Sequence, residues 1–177
     1  YFMKNRFLLV LIICFSITAC NSRKQIKRDA LIADSEGLEV KSLIQSGDIQ
    51  DGLYVDPQGN VYTTCGGLVN KTTISRYSPK TKEFKVVSNE MKGSVNIASL
   101  DGITLYVSNY DDNTIRTFNA LSNESEIFAS GLDGPAGLQI DINGNLYVTN
   151  FGTPPNYAGN SVVKITPDGI KETLIKS

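Results

Sequence analysis

The chain has 177 residues, enough for one domain or a small pair, and 41% hydrophobic content supports a globular core. Seventeen Lys and Arg nearly balance 18 Asp and Glu, a net charge of −1 that lacks the basic excess of a nucleic-acid binder. Histidine is absent, which excludes Ser-His-Asp and Cys-His catalysis, His-ligated zinc and histidine general-base chemistry.

Lys4 and Arg6 lead into the apolar run from Phe7 to Phe15, which closes on Ser16-Ile17-Thr18-Ala19-Cys20. A basic start, about ten apolar residues and a small residue before the break predict a secretory signal over residues 1–19, shorter than the ~20 residues of a membrane span. Ile17-Thr18-Ala19-Cys20 resembles the bacterial lipobox. The resemblance implies cleavage ahead of Cys20, diacylglycerol on its thiol, and a protein held on a membrane of the bacterial cell envelope through its N-terminal lipid. Tyr1 and Phe2 stand before the first methionine, Met3, and suggest translated upstream bases. Lys4 and Arg6 leave with the signal, so 15 basic and all 18 acidic residues remain, a net charge of −3. Residues 20–37 are polar and predict a flexible tether. Beyond the signal only Cys20 and Cys65 remain, so no disulfide framework is expected.

From residue 38 onward no helical periodicity of useful length occurs. Runs of four to seven residues rich in Val, Ile, Tyr, Leu and Thr alternate with Gly, Asn and Asp, which predicts short strands and tight turns. Three segments superimpose, starting at Asp51, Asn96 and Gly134, with shared tyrosines at Tyr62, Tyr106 and Tyr147. Each tyrosine follows an Asp-containing turn: Asp56-Pro57-Gln58-Gly59-Asn60, Asp101-Gly102, and Asp141-Ile142-Asn143-Gly144-Asn145. Gly there supplies a positive φ and Asp or Asn closes the turn through its side chain. A third run follows in each segment (Thr73–Tyr77, Thr114–Phe118, Ser161–Ile165), then a fourth (Glu83–Val87, Glu126–Ala129, Lys171–Ile175).

Four strands per ~40–45 residues is the signature of a β-propeller blade. The expectation is an all-β chain of about three blades, over residues 38–90, 91–131 and 132–177, with Leu38–Ile44 as a leading outer strand. Propellers close with four to eight blades. Three imply either a truncated piece of a larger ring or two copies that complete one, and truncation is the favoured expectation.

The repeats carry a family likeness. Pro135-Ala136-Gly137-Leu138-Gln139-Ile140-Asp141 followed by Gly144-Asn145-Leu146-Tyr147-Val148 resembles an NHL repeat. Leu105-Tyr106-Val107-Ser108-Asn109 and Leu146-Tyr147-Val148-Thr149-Asn150 resemble YVTN repeats. Asp51–Asp56 and Ser99–Asn109 are similar to blades of the senescence-marker-protein/gluconolactonase family. That family implies a six-bladed propeller that opens lactones with a divalent metal, calcium or zinc here, held at the channel mouth by a Glu, an Asn and an Asp. Such a cation would polarise the lactone carbonyl and activate water without histidine. Carried over by position, Asp51 takes the acidic place. Asn96 takes the asparagine place if its strand is one residue short, the direct register falling on Ser94. The third place falls on Ala136, with Asp133 three residues earlier.

Other residues have plainer expectations. Asp101 and Asp141 are turn residues, Asn109 and Asn150 tie neighbouring loops, and Tyr62, Tyr106 and Tyr147 fill the blade core with hydroxyls on backbone partners. Cys65, ahead of Gly66-Gly67, has no histidine to activate it and is expected to be an inert thiol. The longest inter-strand loop, Phe151 to Asn160, has two prolines and two aromatics, and Phe151 and Tyr157 make it the candidate recognition loop. No catalytic residue is assigned. The expected function is an envelope-anchored module that binds a small molecule, glycan or protein at the propeller face. A metal-dependent lactone hydrolase is the first alternative and a truncated gene product the second.

Overall fold

The structure, a computed structural model, describes residues 50–65 and 72–176, all within a compact unit spanning Ile44–Ser177. The signal, Cys20, the tether, the leading strand expected at 38–44 and Gly66-Gly67 lie outside the described residues. Among the described residues twelve strands form three four-stranded antiparallel sheets, each a simple meander. Blade 1 contains β1 (Leu53–Val55), β2 (Val61–Cys65), β3 (Thr73–Ser78) and β4 (Glu83–Ser88). Blade 2 contains β5 (Ser94–Ala98), β6 (Thr104–Asn109), β7 (Thr114–Asn119) and β8 (Ser125–Ala129). Blade 3 contains β9 (Pro135–Ile140), β10 (Leu146–Asn150), β11 (Ser161–Ile165) and β12 (Lys171–Lys176). No described residue is helical. The third and fourth runs expected from the sequence are strands within a residue of their expected ends, because β-branched and aromatic residues fit a pleated, half-buried surface.

The turns form as the Asp-x-x-Gly pattern dictates. In the β1–β2 turn Asp56 Oδ1 accepts from the amides of Gln58 (2.9 Å) and Asn60 (2.8 Å), and Oδ2 from Asn60 Nδ2 (2.7 Å). The β9–β10 turn repeats the arrangement, with Asp141 accepting from Asn143 (2.9 Å), Asn145 (2.9 Å) and Asn145 Nδ2 (2.8 Å). Gly59 and Gly144 sit at φ 81° and 80°, a conformation that L side chains rarely adopt. The equally long β5–β6 turn uses Asp101, whose Oδ1 accepts from Ile103 (2.8 Å) and Thr104 (2.7 Å). Burial alone would raise the Asp101 carboxyl, but these hydrogen bonds outweigh it and hold the group below its ordinary value.

Alternation along each strand sends side chains to opposite faces, so each blade has a forward face and a backward face. The forward face of blade 1 (Tyr62, Ile74) meets the backward face of blade 2 (Ile97, Leu105, Val107, Phe118), with Met91 from the connection between them. The forward face of blade 2 (Ala98, Ile115, Ala129) meets Leu138, Leu146, Val148, Val163 and Ile165 of blade 3, with Leu132 from the next connection. Each fully buried Val, Leu, Ile, Phe or Met side chain among them contributes about 1.5–3 kcal/mol.

The burial part of the tyrosine expectation holds for Tyr62, which is 2% exposed. Tyr106 and Tyr147 are half-buried, and the innermost layer is made by their neighbours Leu105, Val107, Leu146 and Val148. Tyr106 packs edge-on against Phe128, with ring centroids 5.1 Å apart. The Tyr147 hydroxyl donates to Asp141 Oδ2 (3.1 Å), a side chain rather than a backbone group, because it reaches back to the turn that opens its own strand.

Each outer strand pair carries a bulge at the same place, between Ile74 and Ser75, Ile115 and Arg116, and Val162 and Val163. The outer strands β4, β8 and β12 expose Glu83, Lys85, Glu126, Lys171, Glu172 and Lys176.

Candidate functional site

The innermost strands β1, β5 and β9 are anchored by one repeated device. Thr64 Oγ1 accepts from the Gly52 amide (2.8 Å) and donates across to the carbonyl of Val95 on the next blade (2.9 Å). Ser108 Oγ likewise accepts from Asn96 N (2.9 Å) and donates to the carbonyl of Ala136 (2.7 Å). Thr149 Oγ1 accepts from Gly137 N (2.8 Å). Gly52, Asn96 and Gly137 are therefore equivalent, and the residues equivalent to Asp51 are Val95 and Ala136. The register expected at Ser94 is off by one, since Asp51, Val95 and Ala136 each stand eleven residues before the shared tyrosine of their blade. Asn96 stands one position beyond the residue that matches Asp51.

Gly52 explains the approach of blades 1 and 2. A Cβ there would lie 2.7 Å from Asn96 Cα and 2.7 Å from the Val95 carbonyl oxygen. Asp51, two residues ahead of β1, is thus beside the inner strand β5 that carries Asn96. Asn96 Oδ1 is engaged by the Ile97 amide (2.7 Å). A hard cation needs several convergent oxygens, and among the described residues no three His, Cys, Asp or Glu side chains gather to hold a metal. Asp51 and Asn96 alone do not make a calcium or zinc set. Cys65 is 1% exposed, and burial followed by the Asp51 charge pushes its thiol up, the chemistry of an unreactive side chain.

Asp133 belongs to a different setting, the connection between β8 and β9. Its carbonyl accepts from Gly152 N (2.9 Å) and its amide donates to Asn150 Oδ1 (3.3 Å). Asn150 Nδ2 donates to Ser161 Oγ (2.9 Å), and in blade 2 Asn109 accepts from Lys92 N (2.7 Å), so both asparagines tie loops as expected. Asp133 lines a cleft of about 420 Å³ together with Asn150, Gly159, Ser161, Lys171 and Lys176. Asp133 and the 151–160 loop are therefore brought together at one end of blade 3.

That loop is held at its base. Phe151 N donates to the Gly134 carbonyl (2.9 Å) and the Tyr110 hydroxyl of blade 2 donates to the Gly152 carbonyl (2.6 Å). Burial, then the neighbouring Tyr157, Asp111 and Asp133, push the Tyr110 phenol up, so it remains a donor. Gly134 is at φ 58°, and a Cβ on it would stand 2.5 Å from the Gly152 oxygen. Above this base Phe151 and Tyr157 pair edge to face, centroids 5.6 Å apart and planes at 67°. They remain 59% and 49% exposed.

Three radial meanders with adjoining inner strands match known propellers. A chain of the nidogen–laminin complex superimposes with a TM-score of 0.64 at 22% identity, covering 76% of this chain and 51% of that one. A gluconolactonase from Xanthomonas campestris gives 0.61 at 18%, covering 78% and 52%. A virginiamycin B lyase from Staphylococcus aureus, solved with quinupristin, gives 0.59 at 18%, covering 75% and 43%. The fold is a β-propeller. The chain spans about half the length of these propellers or less, and the sequence matches no family profile and no curated protein. Among the described residues no helix is long and apolar enough to cross a membrane.

The hydroxyls of Thr64 and Ser108 and the Tyr110 contact escaped sequence reasoning. The signal was present, a Ser or Thr two residues after each shared tyrosine, but a hydroxyl in a strand reads as ordinary β composition.

Proposed function

We propose that this propeller is a binding module of the bacterial cell envelope, anchored through lipid on Cys20, with recognition at the 151–160 loop of blade 3. The observation that supports it is the exposed Phe151–Tyr157 pair on a base fixed by four hydrogen bonds, beside the cleft lined by Asp133, Lys171 and Lys176. Two aromatic faces inclined at 67° stack against the apolar face of a sugar or a peptide side chain, and the flanking charges and amides give orientation. A glycan is the ligand class this surface suits best, since its contacts are aromatic and polar at once.

The test is binding of the full chain to a glycan array and to sedimented peptidoglycan. Phe151→Ala with Tyr157→Ala should weaken binding at least about tenfold while leaving the fold intact. Retention of full affinity by the double variant would reject the loop as the recognition element. Lactone hydrolysis that appears with calcium or zinc and vanishes in Asp51→Ala would instead support the gluconolactonase-like alternative.

A further inference from the structure

Residues paired directly across neighbouring strands share a face of their sheet. In blade 1 this lines up Tyr62, Arg76 and Lys85 across β2, β3 and β4. Tyr62 packs into the core between blades 1 and 2, so Arg76 and Lys85 are on the side of blade 1 that faces blade 2. The same row reads Tyr106, Thr117 and Glu126 in blade 2, and Tyr147, Lys164 and Glu172 in blade 3. Its charge is therefore +2, −1 and 0 in the three blades, and the repeat does not demand a basic pair there. Like charges directly opposite one another destabilise a sheet, so the pair costs blade 1 something that the other blades do not bear.

Nothing in the protein offsets that cost. Arg76 and Lys85 line a cleft of about 340 Å³ together with Val87 and with Ala120, Leu121 and Asn123 of the β7–β8 turn. Arg76 is half-buried, and its Nε is buried with no hydrogen-bond partner. Among the described residues neither Arg76 nor Lys85 has an ion pair, whereas Arg116 of blade 2 has Asp112 at 3.4 Å. Glu83, on the same face beside Lys85, accepts instead from Thr81 Oγ1 (3.4 Å). The blade 2 wall is fixed, because Asn119 Oδ1 accepts from the amides of Leu121 (2.9 Å) and Ser122 (3.0 Å), and the Asn119 carbonyl from Asn123 N (2.8 Å).

We infer that this cleft between blades 1 and 2 binds a phosphate group, free or carried by a small polyol or sugar. Two cations without a counter-charge match a dianion. The planar guanidinium fork pairs with two phosphate oxygens, the ammonium adds a point charge, and the Asn123 amide supplies a neutral donor from blade 2. The site is separate from the 151–160 loop and does not depend on what that loop recognises.

The test is calorimetric titration of the full chain with inorganic phosphate, glycerol 3-phosphate, glycerol and acetate, each variant first shown to be folded by circular dichroism. Inorganic phosphate or glycerol 3-phosphate should saturate one site with a dissociation constant below about 1 mM. The tighter of the two tells whether the group is bound free or on a carrier. Glycerol should not bind, and acetate should bind at least about tenfold more weakly. Arg76→Gln and Lys85→Gln should each weaken phosphate binding at least about tenfold, and Arg76→Lys should recover only part of the loss because it lacks the fork. Lys164→Gln removes a cation from the same row of blade 3 and should change nothing. A folded chain that binds neither phosphate overturns the inference. So does acetate binding as tightly as phosphate, or an equal loss in Arg76→Gln and Lys164→Gln, which would mean that net charge alone attracts the anion.

Discussion

Ser108→Ala removes one oxygen from a site with no exposure, and its cost can be worked from the two hydrogen bonds lost. Asn96 N, 2.9 Å from Ser108 Oγ, lies at the β5 bulge and is not paired in the β5–β6 register. The Ala136 carbonyl, 2.7 Å away, faces blade 2 across the interface. A stranded group costs about 1–3 kcal/mol, and with both residues half-buried rather than sealed from water the variant should lose about 2–4 kcal/mol of a full cost of about 2–6 kcal/mol. Thr149→Ala is the internal control. It removes the equivalent hydroxyl, but from an exposed position where water can take over the Gly137 amide, and should cost about 0.5–1 kcal/mol. Urea unfolding by circular dichroism, extrapolated to water with unchanged slope, gives both values. Ser108→Thr should recover much of the loss, since Thr64 performs the same task in blade 1. Equal costs for Ser108→Ala and Thr149→Ala would refute the idea that this hydroxyl joins blades.

Gly52→Ala should be destabilising by about 1–3 kcal/mol, because its Cβ meets backbone of blade 2 at 2.7 Å and backbone cannot swing aside; a melting temperature unchanged from the parent would contradict it. The Asp101 carboxyl, held below its ordinary value of 3.8 by amide hydrogen bonds, contributes stability that is full above that value and is lost as pH falls through the lower folded one. Asp101→Asn should therefore flatten the acid limb of stability against pH, measured by urea unfolding between about pH 7 and pH 2, and an identical acid limb would rule this out.

The strands and their turns were legible because each is a local event. Asp56 and Asp141 close their turns on residues two and four positions away, and such spacing is visible in a sequence. The interfaces were not, because they depend on which face a residue takes. The innermost strands β5 and β9 each carry a bulge, opposite Val107/Asn109 and Val148/Asn150, and nothing in Ser94-Val95-Asn96-Ile97 announces it. The shared tyrosines suggested the core, yet the layer that excludes water is carried by Leu105, Val107, Leu146 and Val148 beside them. The candidate site was half legible. Phe151 and Tyr157 stand exposed on their loop as the composition of that loop suggested, while Asp133 joins them through its main-chain carbonyl.

The repeated bulges and the charged outer strands govern how such a molecule can grow. A bulge in each outermost pair twists that edge, and Glu83, Lys85, Glu126, Lys171, Glu172 and Lys176 set ionic groups along it. A strand arriving edge-on would have to match a kinked ladder and desolvate those charges. Fibril-like extension is thereby penalised at every blade. The ionic groups act where it matters, since Val86, Ile127 and Ile175 stand exposed on the same outer strands and would otherwise favour pairing with a second edge.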